Sequence, residues 1–186
     1  MHNTRKINQD LAYVGASDRK LALFENIYPI PRGVSYNSYL LNDEKTVLLD
    51  TADAGVAQQF FENVEAALEG RQLDYLVVNH MEPDHSACIA KFMAEYPSCT
   101  AVASAQAFTM MRQFFGEEYE TRRKVVREGD VLELGKHSLA FVAAPMVHWP
   151  EVMVSYDAAD KVLFSADGFG KFGANDVEDP EGWDCE

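Results

Sequence analysis

The chain has 186 residues, of which 47% are hydrophobic, enough to build a real core in a single domain. Its 16 basic and 30 acidic side chains leave a net charge of −14, which argues against nucleic acid or an anionic membrane as partner, because both need a basic face. No apolar run approaches the ~20 residues of a membrane span, and the polar stretch Met1–Arg19 lacks the apolar centre of an export signal.

Three cysteines, Cys88, Cys99 and Cys185, form no CxxC pair, a usage that fits a reducing cytoplasm. Leu21–Phe24, Ser38–Leu41 and Thr46–Leu49 read as consecutive strands, with Asn42-Asp43-Glu44 as a hairpin turn. The period then changes: Val56, Phe60, Val64, Ala67 and Leu68 recur at helical spacing, and Gly70 supplies a stop. Leu73–Val78 is a buried-type strand running into Asn79 and His80. After Pro83, either Asp84 or Ser86 is expected to cap a helix whose apolar positions are Ile89, Phe92 and Met93. Thr100–Ala103 is a strand, and Ser104 caps a helix that runs through Phe115 and ends at Gly116. Val125–Val126, Val131–Leu134, Leu139–Ala143, Val152–Tyr156 and Val162–Phe164 complete the strands, with turns at Gly129-Asp130 and Ala158-Ala159-Asp160. Strands, then strand–helix alternation, then strands again predict two sheets covered by helices. The polar, acidic segment Gly168–Glu186 ends without a closing element, so the sequence reads as cut short.

The chemical signal is His80-Met81-Glu82-Pro83-Asp84-His85, four potential metal ligands within six residues directly after a buried strand. In extended backbone alternate side chains share a side, so His80, Glu82 and Asp84 can converge, and Pro83 turns the chain into a loop. His148 and Asp167 each follow a strand as well, at similar strand-to-loop junctions. Three imidazoles and three carboxylates suit iron or manganese better than zinc, and the acids offset much of the charge of two divalent ions. A carboxylate such as Asp167 can bridge two metals about 3.5–4 Å apart. His2 reads as part of a loose end and His137 as a turn residue after Gly135. Tyr36, Trp149 and Phe169 are read either as pocket walls or, with twice the weight, as core aromatics.

The His-x-Glu-x-Asp-His pattern resembles the metallo-β-lactamase-like domain of flavodiiron proteins, the A-type flavoproteins, whose hydrolase cousins carry His-x-His-x-Asp-His instead. Tyr36-Asn37-Ser38-Tyr39-Leu40, Leu48-Leu49-Asp50-Thr51, His148-Trp149-Pro150 and Asp167-Gly168-Phe169-Gly170 are similar to that family too. The resemblance implies an α/β fold of the αββα sandwich type, incomplete at its C-terminal side, with residues 1–186 as the di-iron domain. It implies that His80, Glu82 and His148 hold one iron, Asp84 the other, and Asp167 both; His85 matches the motif but does not coordinate in every member. It further implies a later histidine ligand and a C-terminal flavodoxin-like domain with FMN, neither of which this sequence matches. The implied activity is reduction of dioxygen to water or of nitric oxide to nitrous oxide in the cytoplasm. Electrons would come from FMN and a rubredoxin-type donor, in a homodimer. Two other readings are a non-catalytic oxygen-binding sensor module and a metal-dependent hydrolase; Glu82, where the hydrolases have histidine, weighs against the last.

Overall fold

The computed structural model describes residues 3–174, so His2, Cys185 and the acidic stretch after Ala174 lie outside the described residues. In chain order the elements begin with β1 (Arg5–Lys6), β2 (Leu11–Tyr13), β3 (Ala16–Asp18), β4 (Leu23–Phe24), β5 (Tyr28–Pro29), β6 (Val34–Tyr36), β7 (Tyr39–Asn42) and β8 (Thr46–Leu49). Then come α1 (Ala57–Leu68), β9 (Tyr75–Val78), α2 (Pro83–Ser86), α3 (Ile89–Glu95), β10 (Thr100–Ala103), α4 (Ala105–Phe115) and β11 (Arg123–Val125). β12 (Val131–Glu133), β13 (Ser138–Ala143), β14 (Met153–Asp157) and β15 (Val162–Phe164) follow.

Seven strands form the first sheet in the order β1-β2-β7-β8-β9-β10-β11. Its first half is antiparallel, with hairpins joining β1 to β2 and β7 to β8 while β3–β6 lie between β2 and β7 in the chain; β8, β9, β10 and β11 run parallel. Parallel neighbours need crossovers, and the helices supply them: α1 between β8 and β9, α2 and α3 between β9 and β10, α4 between β10 and β11. Both faces of this sheet are covered, which explains the unbroken apolar runs of its strands. Leu40, Leu48, Leu76, Val78, Ala101 and Ala103 point to the helices, where Phe60, Phe92 and Phe108 fill the core. Their sequence neighbours Leu41, Val47, Leu49, Val77 and Val102 point the other way, onto Leu139, Phe141, Met153 and Phe164 of the second sheet. Each buried ring of this kind is worth about 1.5–3 kcal/mol. The second sheet is antiparallel, β12-β13-β14-β15. Its outer face presents Val131, Val142, Tyr156 and Leu163 to solvent. Among the described residues, no helix is long and apolar enough to cross a membrane.

Ser104 caps α4 as expected, accepting from the Ala107 amide, and Gly116 ends it in the left-handed conformation at φ 73°. Three expectations are corrected. The strand read at Leu21–Phe24 shrinks to Leu23–Phe24, paired only with β5 in a small separate hairpin. Neither Asp84 nor Ser86 caps the helix of Ile89, Phe92 and Met93: that helix, α3, starts after Cys88, and the two residues lie inside the separate turn α2, which Glu82 precedes and Pro83 opens because proline's fixed φ suits the first helical turn. The Ser86 hydroxyl instead donates to the Met81 carbonyl.

His137 is no ordinary turn residue. Its ring is fully buried, with Nδ1 2.8 Å from Asp157 Oδ2 and Nε2 3.2 Å from Asp10 Oδ2. Its amide donates to Asp43 Oδ2 at 2.6 Å, so this one residue ties β13 to β14 and to the β7–β8 turn. Burial opposes charge on the ring, but hydrogen bonds to Asp157 and Asp10 outweigh it and raise the pKa. A histidine raised on folding stabilises fully below its unfolded pKa of about 6.5, and that contribution fades as pH climbs through the folded value. His137→Leu is therefore expected to cost about 1–3 kcal/mol near pH 6, because Asp157 loses its ring partner and keeps only the amides of Ala159 and Asp160. Chemical denaturation across pH is expected to show the gap from wild type narrowing at alkaline pH.

Candidate metal centre

The centre is built where β9 leaves the first sheet. Asp50, just after β8, takes a left-handed conformation at φ 55° and turns its carboxylate to the end of β9. Its Oδ1 accepts from the Asn79 amide at 2.7 Å and the His80 amide at 3.4 Å. The Thr51 amide and hydroxyl both donate to the His85 carbonyl, at 2.9 and 2.6 Å. Asn79 reaches the second sheet: its carbonyl accepts from the Met153 amide and its Oδ1 from the Ser155 hydroxyl. The 80–85 loop is thus clamped from both sheets before any metal is considered.

Onto this loop fold two arms from the second sheet, one carrying His148 between β13 and β14, the other Asp167 after β15. His80 Nε2 lies 3.1 Å from Glu82 Oε2 and 3.2 Å from Asp167 Oδ2. His148 Nε2 lies 2.7 Å from the same glutamate oxygen and 3.4 Å from the same aspartate oxygen. Asp167 Oδ1 meets a second group, lying 2.8 Å from His85 Nε2, which in turn is 3.6 Å from Asp84 Oδ2. The six residues singled out from the sequence therefore fall into two sets that share Asp167: His80, Glu82, His148 and Asp167, and Asp84, His85 and Asp167.

The donor set fits metal ions. Two imidazole nitrogens aim at one pair of carboxylate oxygens, an arrangement a cation satisfies better than protons shared among them. Among the described residues, Asp84 Oδ1 and His85 Nδ1 are buried without a hydrogen-bond partner, the latter 3.8 Å from Asp50 Oδ2. Charge balance within the protein is tense. Burial opposes protonation of His80, yet Asp167, Glu151 and Glu82 together lift its pKa to about 11. His85 is likewise driven to about 10, against its burial, by Asp167 and Asp50. Burial pushes Asp84 up to about 6, and Asp167, despite burial, is held far below the usual carboxylate range by His80 and His85. So many mutually dependent charges in one pocket mark a functional site.

A cavity of about 400 Å³ opens onto these residues, walled by Phe24, Tyr28, Asn37, Glu82, His148 and Phe172. Trp149 sets its edge against the His80 ring, with centroids 5.4 Å apart at 89°. Tyr36 is a core residue, 2% exposed, whereas Phe169 is 79% exposed, outside both the core and the cavity wall.

Helices packed on a mixed sheet backed by a second sheet, with His-x-Glu-x-Asp-His at a strand tip, define a metallo-β-lactamase-like domain. Residues 34–181 match the ODP family beta lactamase, and the chain belongs to that family. It is 36% identical over 172 residues to the anaerobic nitric oxide reductase flavorubredoxin of Vibrio vulnificus, covering 90% of this chain and 34% of that protein. Among solved structures it is similar to the rubredoxin:oxygen oxidoreductase of Desulfovibrio gigas (TM-score 0.89, 32% identity, 95% of this chain and 44% of that one). It is also similar to the flavodiiron protein of Giardia intestinalis (TM-score 0.88, 27% identity, 95% and 42%). The chain thus spans about a third of the length of the curated relatives it matches. The resemblance read from the ligand motif holds, as does the fold class.

Residue reasoning passed over Glu151, whose buried carboxylate receives both the His80 ring and the Met81 amide. The available signal was an acid three residues after a candidate ligand, next to a strand. Asp50 stood in a quoted motif but without a role; its place at a strand end, 30 residues before His80, gave no hint of contact.

Proposed function

We propose that the chain, residues 1–186, is the di-iron domain of an oxidoreductase that reduces dioxygen to water or nitric oxide to nitrous oxide. The observation that carries this is the split of Asp167, whose two oxygens serve two separate ligand sets. His80, Glu82 and His148 would hold one iron, Asp84 and His85 the other, and Asp167 both. Ferrous ions bound there would supply electrons to a small diatomic substrate. The protein's own part is to fix and shield. Glu82, at 3% exposure, anchors one ligand set from beneath, while His148 stands at the cavity mouth with 57% of its side chain open. Phe24 and Phe172, with ring centroids 5.1 Å apart, give the cavity an apolar wall beside its charged groups, room enough for a small uncharged gas. The names of the relatives, flavorubredoxin and rubredoxin:oxygen oxidoreductase, support a rubredoxin-type electron donor and FMN as carrier for the whole protein.

The test is anaerobic reconstitution with ferrous iron followed by rapid mixing with dioxygen or nitric oxide. About two irons per chain and consumption of one gas are expected. A lasting oxygen adduct without consumption would replace the reductase by a sensor. Uptake of zinc alone from an iron-replete host, with steady thioester or lactam hydrolysis, would favour a hydrolase.

A further inference from the structure

Resting on the di-iron reading above, we propose that Glu151 is a positioning residue that holds the His80 ring so that its Nε2 points at the metal and strengthens its donation. The His80 ring has two nitrogens, and only one faces Glu82 and Asp167. The other, Nδ1, lies 2.8 Å from Glu151 Oε1. A carboxylate only accepts, so Nδ1 carries the proton and Nε2 is the nitrogen left to the metal. The same oxygen accepts from the Met81 amide at 2.8 Å, which fixes where it sits relative to the 80–85 loop. The Glu151 backbone is pinned too, its carbonyl accepting from the Ser104 hydroxyl at the start of α4.

Glu151 lies only three residues beyond His148, so it ties the His148 arm to the 80–85 loop. Its side chain is fully buried, and its Oε2 has no hydrogen-bond partner among the described residues. The carboxylate is held by the His80 ring, the Met81 amide and its own backbone amide. Trp149 closes the remaining side of the ring. Held by a carboxylate, an aromatic edge and its own backbone, His80 has one orientation. Among the described residues no acid is paired with the other ring nitrogen of His148, which stands more than half exposed.

The test is Glu151→Gln in the complete chain, which keeps an oxygen for the Met81 amide and the His80 ring but removes the charge. Ferrous-iron affinity is measured anaerobically by chelator competition, with the reduction potential and the thermal midpoint read alongside. One of the two irons is expected to weaken about 10- to 100-fold, with the potential moving positive and the midpoint within a few degrees of wild type. If Glu151→Gln does not fold, Glu151→Asp reads the same quantities, its shorter reach weakening the same single iron. Wild-type affinity and potential in the variant would overturn the proposal, as would equal weakening of both irons in step with a lower midpoint. Failure of the wild-type chain to take up iron would instead overturn the di-iron reading, and the parallel wild-type measurement separates the two outcomes.

Discussion

Glu82→Ala is expected to abolish iron binding at its site, with affinity falling more than ~100-fold, beyond the 10- to 100-fold cost of losing an outer hydrogen-bond partner. Glu82 Oε2 lies within 3.1 Å of His80 Nε2 and 2.7 Å of His148 Nε2, so its removal takes the shared acid from between two imidazoles. Glu151 is committed to the far side of His80, Asp167 is divided between two sets, and Glu25, whose carboxyl hydrogen-bonds Glu82, stands on the exposed wall of the cavity. Elemental analysis of protein purified from iron-replete cells reads the effect. Iron retained at wild-type level would remove Glu82 from the ligand set.

Asp167→Asn is expected to act differently from Asp167→Ala. Asparagine keeps one acceptor oxygen and puts an N–H group where the second stood, so only one of the two ligand sets stays complete. About one iron per chain is the expected result for the asparagine variant. The alanine variant is expected to weaken both sites and retain less. Electron paramagnetic resonance supplies the second readout: two irons joined by a carboxylate couple their spins, and a lone ferric ion gives an uncoupled high-spin signal. A coupled signal persisting in Asp167→Asn would deny this residue its bridging place.

The αββ layering was legible because both cores follow the alternation of single strands. Leu48 and Leu76 face the helices while Val47 and Val77 face the second sheet, and the sequence shows these as unbroken apolar runs. The opening 36 residues were opaque for the opposite reason. Strands of two or three residues with exposed patterns, such as Arg5–Lys6 and Tyr28–Pro29, carry no period to read. The candidate ligands were legible where the motif is dense, at residues 80–85, and where histidine or aspartate closes a strand. Asp50, Asn79 and Glu151 were not given roles, since a supporting acid or amide is defined by its partner across space. His137 shows the same limit: a turn-like sequence position hides a ring held by acids from residues 10 and 157.

The ligand sets draw on both sheets, four residues from a single loop on the first and two from separate arms of the second. A newly made chain carries the loop's four groups early, yet they form only half a grip until some 60 to 80 residues later the arms arrive and dock. On the proposed di-iron reading, capture of iron would become a checkpoint on assembly: a chain whose two sheets have not yet met lacks a complete cage for an ion. A metal seated there would act as a rivet through the sandwich, so that prying the layers apart and letting go of iron would become a single event.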